Sequence, residues 1–280
     1  MKLFTKLFTL VLTSVATSFS CTNEEGSQSE MKLPERIEST SIKSLFDSTK
    51  VKGAVLIYRQ GKNIVYSNDF DWAETGFLPA STFKIANSIQ ALENGIVEDD
   101  STMFYWDGQP RYLKSWEEDL TFHQAFQRSC VPCYQQIARE TGVERMRQTL
   151  EKIGYPGMVF DSSTIDNFWL EGDSRISQFQ QIEFLKRLVN KDLPVSQKTV
   201  DIMSKIMLID QNEDYDFYGK TGWAQPNDST NIGWFVGYAV TPKDTLYMAT
   251  NIQPTPAFNM NDFGKIRMLV TIKALEGLYK

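Results

Sequence analysis

Three short stretches of this sequence carry side chains suited to acyl transfer. Ser81 and Lys84 stand three apart in Pro79-Ala80-Ser81-Thr82-Phe83-Lys84, just ahead of the run Ile85 to Leu92. On a helix that spacing puts hydroxyl and amine on one face, one turn apart. A serine in the first turn also sits at the positive end of the helix dipole. An amine forced under a cleft loses its hydration, which lowers its pKa toward that of a usable base. Serine plus lysine is then a nucleophile–base pair. Against this, serine often merely caps a helix, and lysine is usually solvated.

The second stretch is Tyr218-Gly219-Lys220-Thr221-Gly222-Trp223. Read as an edge strand beside the nucleophile, it offers a positive charge (Lys220), a hydroxyl for a substrate carboxylate (Thr221) and room for close backbone approach (Gly222). Read plainly, it is a turn entering a strand. The third stretch is Ser129-Cys130-Val131, whose serine is either a helix cap or a proton relay into the same cleft. The order S-x-x-K, S-x-V, K-T-G is far more specific than any one member.

Composition narrows the chemistry. The 280 residues include one histidine, His123. A Ser-His-Asp triad would have to use it, and a zinc site with two histidine ligands cannot be built within one chain. No metal site is expected. The balance of 29 basic and 35 acidic residues, net −6, argues against nucleic-acid binding.

The elements that must position these groups follow from the patterning. Residues 1–20 have a basic start at Lys2 and Lys6, a short apolar run and small residues before Cys21. That is an export signal, too short for a comfortable membrane span. The segment resembles a bacterial lipoprotein signal, in which cleavage before Cys21 leaves that thiol for a lipid anchor. Residues 21–35 read as a polar tether and 36–280 as the catalytic domain. Within it, residues 36–48 show helical spacing, 53–58 and 63–67 flank a Gly-containing turn as a hairpin, and 81–208 is mostly helical. Gly95, Gly142 and Gly154 close helices there. Residues 232–240 and 245–252 form a second hairpin, and 262–278 a last helix. The expected fold is α+β: a mostly antiparallel sheet built from both chain ends, flanked by helices, with an inserted helical lobe and a cleft between lobe and sheet.

Cys130-Val131-Pro132-Cys133 admits three readings. A C-x-x-C can be a redox motif, but the β-α-β setting is missing. The two cysteines can be small apolar core residues. They can also form a local disulfide, which is geometrically demanding at this spacing.

From about Val51 onward the chain resembles a class D (oxacillinase-type) serine β-lactamase of the penicillin-binding, transpeptidase-like superfamily. The resemblance rests on PASTFKIANSIQALENG (79–95), WEEDLTFHQAFQRSCVPCYQQIARETG (116–142), IDNFWLEG (165–172), YGKTGW (218–223) and GWFVGY (233–238). It implies a small-molecule β-lactam substrate, with Ser81 as the acylated nucleophile. It implies that CO2 or bicarbonate carbamylates Lys84, which then acts as general base, held by the indole N–H of Trp169 and flanked by Val131 and Leu170. It implies an oxyanion hole from the backbone N–H groups of Ser81 and Trp223. It implies that Lys220 and Ser129 pass the proton to the leaving nitrogen, and that Thr221 and Arg267 bind the substrate carboxylate. The location it implies is the bacterial periplasm, with membrane attachment only through lipid on Cys21. One departure stands out: the family's Tyr-Gly-Asn motif is replaced around Met158-Val159-Phe160-Asp161-Ser162-Ser163, which bears on substrate range and rate. The alternative function is a penicillin-binding or β-lactam-sensor protein that acylates without turnover.

Overall fold

The computed structural model describes residues 33–227 and 229–279. The first element among the described residues is a strand. β1 (Glu35–Glu38) lies parallel to β3 (Ile64–Ser67). The helix expected from residue 36 starts later, as α1 (Thr40–Thr49), because Ser39 caps it by accepting from the Ile42 N–H. Residues ahead of a cap lie outside the helix, and here they satisfy their backbone against a sheet edge. The expected tether, residues 21–35, thus ends on the first residue of β1, and residues 1–32 lie outside the described region.

β2 (Val51–Arg59) forms the expected hairpin with β3 and pairs on its other side with β9 (Thr245–Pro254). Beyond it come β8 (Thr230–Val240), β7 (Asp216–Asn227) and β6 (Leu208–Gln211), all antiparallel. The sheet order is β1-β3-β2-β9-β8-β7-β6, so both chain ends supply the central strands.

Strand alternation sends successive side chains to opposite faces. Ala54 and Leu56 of β2, Trp234 and Val236 of β8, and Tyr247 and Ala249 of β9 join the larger core under the helical lobe. Val55, Ile57, Phe235, Met248 and Ile252 join a second core with Ile42 and Phe46 of α1 and with Phe263, Val270 and Ala274 of α9 (Phe263–Tyr279). Burial on both faces explains why these strands read as continuous apolar runs.

Between β3 and β6 the chain builds the lobe. It comprises α2 (Phe70–Glu74), α3 (Lys84–Glu93), α4 (Phe122–Gln127), α5 (Val131–Thr141), α6 (Val143–Lys152), α7 (Gln178–Val189) and α8 (Gln197–Met207). Capping boxes at Thr121/Gln124 and Ser177/Gln180 start α4 and α7. A short ribbon, β4 (Met103–Phe104) with β5 (Leu120–Thr121), was not anticipated. It closes a loop that carries Tyr112, Leu113 and Trp116 to the rim of the site.

Candidate active site

Ser81 lies in a 3₁₀ turn, Ala80–Phe83, and not in the first turn of an α-helix as its spacing suggests; α3 begins at Lys84. A 3₁₀ turn has three residues per turn, so positions i and i+3 eclipse. The Lys84 Nζ accordingly reaches the Ser81 Oγ at 3.0 Å. The turn is locked from several directions. Ala80, at φ 51°, donates its N–H to the Trp169 carbonyl at 2.8 Å. Thr82 Oγ1 donates to the Pro79 carbonyl and accepts from Gln181 Nε2. A left-handed alanine is costly and persists only when its surroundings over-determine it.

Lys84 is wholly buried, under a serine that is 7% exposed. Its amine lies 5.0 Å from the centroid of the Tyr134 ring, on α5. Burial pulls its pKa down from 10.5 to about 7. A buried amine near neutrality is in part free base, which is what a proton acceptor for the Ser81 hydroxyl requires.

Lys220 lies in β7 and not in a turn. Its Nζ donates to Ser129 Oγ at 2.9 Å and to the Thr221 carbonyl at 3.0 Å. Its pKa also falls well below the ordinary lysine value, first through burial, then through repulsion from Lys84 and Arg267. Ser129 sits between α4 and α5 at φ 56°; the N-cap of α5 is its neighbour, Cys130.

Strand β7 can lie against the nucleophile turn because Gly222 has no side chain. A Cβ there would come within 3.1–3.2 Å of Trp234 Cβ, Ala80 Cβ and Thr82 Cγ2. Arg267, on α9, packs onto the same stretch. Its guanidinium donates to the Gly222 carbonyl and stands 5.6 Å from the centroid of the Trp223 ring. It is no surface arginine: burial lowers its pKa to about 10.

Trp169 and Leu170 arrive on the segment following α6. A bridge between Phe77 and Ile176, N–H to carbonyl in both directions, ties that segment to the strand of chain entering the 3₁₀ turn. Trp169 is fully buried and stacks on Phe83, the neighbour of Lys84. Its indole N–H is buried without a hydrogen-bond partner. A donor left unpaired in the interior costs free energy, so it stands ready for an acceptor.

A cleft of about 530 Å³ opens over these groups. It is lined by Ser81, Ser129, Val131, Leu170, Thr221, Trp223 and Arg267, with Lys84, Lys220 and Trp169 buried around it. Every expected site residue but one is therefore gathered at a single place; Cys21 lies outside the described residues. Tyr112, Leu113, Trp116 and Gln225 also line the cleft and were not anticipated. Apolar residues set in the polar, charged stretch 109–118 are the sequence signal that could have found the first two.

The stretch that replaces the family's Tyr-Gly-Asn motif closes on its own segment. Phe160 stacks on Phe168 at 4.4 Å between centroids, the Val159 N–H donates to Ser174 Oγ, and Asp161 accepts from Ser163 and Thr164. Cys130 and Cys133 form a disulfide, with Cα atoms 5.5 Å apart. The unpaired apolar reading of those cysteines is thereby replaced.

This fold, with Ser81 and Lys84 in contact beneath its cleft, is that of the penicillin binding protein transpeptidase domain and the class D β-lactamases. Residues 48–268 match the family described as the penicillin binding protein transpeptidase domain. β-Lactamase OXA-10 of Pseudomonas aeruginosa is 38% identical over 77% of this chain and 81% of its own. β-Lactamase OXA-48 of Klebsiella pneumoniae is 37% identical over 77% of this chain and 80% of its own. The solved class D β-lactamase YbXI from Nostoc superposes with a TM-score of 0.80 at 40% identity, covering 85% of this chain and 98% of that one. The chain belongs to the class D β-lactamases within the transpeptidase-domain family.

Proposed function

We propose that the protein hydrolyses the β-lactam amide of penicillin-type antibiotics, and so confers resistance, through an acyl-enzyme on Ser81. One observation carries this reading: a fully buried Lys84 amine, brought near neutrality, lies 3.0 Å from the Ser81 hydroxyl beneath the cleft. The substrate carboxylate binds Arg267 and the Thr221 hydroxyl, which turns the lactam carbonyl toward Ser81. Ser81 Oγ gives its proton to the buried base and attacks the carbonyl carbon. The backbone N–H groups of Ser81 and Trp223 receive the oxyanion, an arrangement whose loss typically costs about 10²–10³ in rate per donor. The C–N bond breaks as Ser129, backed by Lys220, protonates the leaving nitrogen and is reprotonated in turn by the proton that Lys84 took from Ser81, which frees the base. Water then adds to the ester carbon, losing one proton to the Lys84 side of the cleft and returning one to Ser81 Oγ.

The residues present fit a carbamylated Lys84. The amine is desolvated and in part neutral, the form that CO2 attacks, and Trp169 offers an unpaired N–H to an anion. When formed, the carbamate supplies an anionic general base where a free ammonium would be destabilised.

Export to the periplasm, and lipid attachment at Cys21, belong to the same reading and rest on the pattern of residues 1–21 alone. Intact mass of the mature protein tests both.

A nitrocefin assay with purified protein tests the function. Repeated turnover that rises with bicarbonate is the expected result. A single stoichiometric burst, with the drug retained on the protein, would instead make it a penicillin-binding or sensor protein. Ser81→Ala should carry no adduct of drug mass; an adduct on that variant would displace Ser81 from its role.

A further inference from the structure

One motif stands outside the acyl-transfer chemistry. The Cys130–Cys133 disulfide sits inside the site's own S-x-V stretch, between Ser129 and Val131, both of which line the cleft. Cys130 is the N-cap of α5, and the disulfide ties that cap to the first turn of the helix. The backbone just ahead is fastened as well: Ser129 N–H donates to the Phe126 carbonyl and Cys130 N–H to the Ala125 carbonyl. All this holds Ser129 at φ 56°, where its Oγ meets Lys220 Nζ at 2.9 Å. A non-glycine residue in the left-handed region stays there only under such constraint. Freed to relax to negative φ, Ser129 would turn its hydroxyl away from Lys220.

The disulfide also has an approach of its own. A second cavity of about 360 Å³ shares Trp116 with the cleft, and Cys130 and Cys133 form part of its wall. Cys133 is 8% exposed and Cys130 nearly buried, so a small reductant would meet Cys133 first.

We infer that the Cys130–Cys133 disulfide is a redox-sensitive positioning element for Ser129. Closed, it holds the turn in which the Ser129 hydroxyl faces Lys220. Opened by a small dithiol, it slows acylation. The inference rests on the reading of Ser129 as proton relay. In the opening step one thiolate of the dithiol attacks Cys133 Sγ, the S–S bond breaks and Cys130 leaves as a thiolate that takes up a proton. The second thiol of the reductant then displaces Cys133. The products are two cysteine thiols and the cyclic disulfide of the reductant, which has supplied two electrons and two protons.

The test uses the full chain, oxidised and dithiothreitol-reduced, as wild type and as Ser129→Ala. Acylation by nitrocefin is followed by stopped flow, thiols are counted by alkylation and mass, and folding is checked by circular dichroism. Reduction is expected to expose Cys130 and Cys133 to alkylation in the folded protein. It should slow acylation of the wild type about ten- to a hundredfold, the scale of a displaced catalytic group. In Ser129→Ala the same treatment should change the rate by less than about twofold, because the two losses share one cause. The Cys130→Ala/Cys133→Ala protein should be slow and indifferent to dithiothreitol. Equal rates before and after reduction, an equal factor in both Ser129 backgrounds, or cysteines that resist reduction while the protein is folded would each overturn the inference. Oxidised Ser129→Ala acylating as fast as wild type would overturn the relay reading, and the inference with it. Slow Ser129→Ala beside a redox-indifferent wild type would overturn the inference alone.

Discussion

Lys84 Nζ and Ser81 Oγ are 3.0 Å apart across a single 3₁₀ turn, and the amine has no exposure to solvent. Nucleophile and base are thus held three residues apart on one tight turn, while the charge state of the base is set by everything packed around it. The core supplies Tyr134, Phe83 and Trp169 on that side. Burial without an acidic partner is what brings the amine near neutrality.

That charge state predicts a pH profile. With its pKa near about 7, Lys84 becomes protonated as the pH falls through that value and ceases to accept the Ser81 proton. In CO2-depleted buffer, kcat/KM should fall roughly tenfold per unit on the acid side of neutrality. A profile flat from pH 8 to pH 5 would detach catalysis from this amine.

Stability should move the opposite way to activity when the amine is removed. The folded pKa is about 7 against 10.5 for a free lysine, so the unfolded chain binds the extra proton between those values and stability rises with pH across that window. Lys84→Met removes the penalty. In CO2-depleted buffer the variant should be more stable than wild type at pH 7 by about 4 kcal/mol, with the gain fading toward pH 10.5. It should also lose deacylation and slow acylation by about 10²–10⁴. Urea titrations at three pH values, alongside single-turnover kinetics, check both parts.

Trp169→Phe separates the indole N–H from the ring. The N–H makes no protein hydrogen bond, so the stability lost should be only that of the emptied ring volume, about 1–2 kcal/mol. A donor to an anion is worth enough that its loss should raise the bicarbonate needed for full activity about 10- to 100-fold. Carbon-13 NMR of labelled bicarbonate on the two proteins measures this directly; an unchanged carbamate signal would count against a role for the indole.

Arg267→Ala should act on binding. Its guanidinium lies at the cleft, stacked near Trp223 and bonded to the Gly222 carbonyl. KM for a penicillin should rise about 10- to 100-fold with kcat less affected, because the lost contact is to the unreacting carboxylate. Arg267→Lys should recover little, since an ammonium cannot reproduce the planar fork. Equal falls in kcat and kcat/KM would place Arg267 in the chemistry itself.

Much of this site is legible in the sequence because much of it is local. Ser81 and Lys84 are three residues apart, and any tight turn brings them together. The apolar strand runs and the two hairpins follow from side-chain alternation and turn residues, and so does a sheet built from both chain ends. Helix starts are less legible: the spacing across residues 36–48 favours a helix throughout, yet the cap at Ser39 hands residues 36–38 to the sheet. What the sequence cannot carry is contact over distance. Lys220 and Ser129 are 91 residues apart and meet only because β7 and the α4–α5 turn close on one cleft. The spacing of Cys130 and Cys133 permits a free pair or a bridge. The cap geometry of α5, which brings their Cα atoms to 5.5 Å, decides for the bridge. Residue type makes Lys84 a candidate base, but its protonation depends on the water excluded around it, and that is a property of the packed fold.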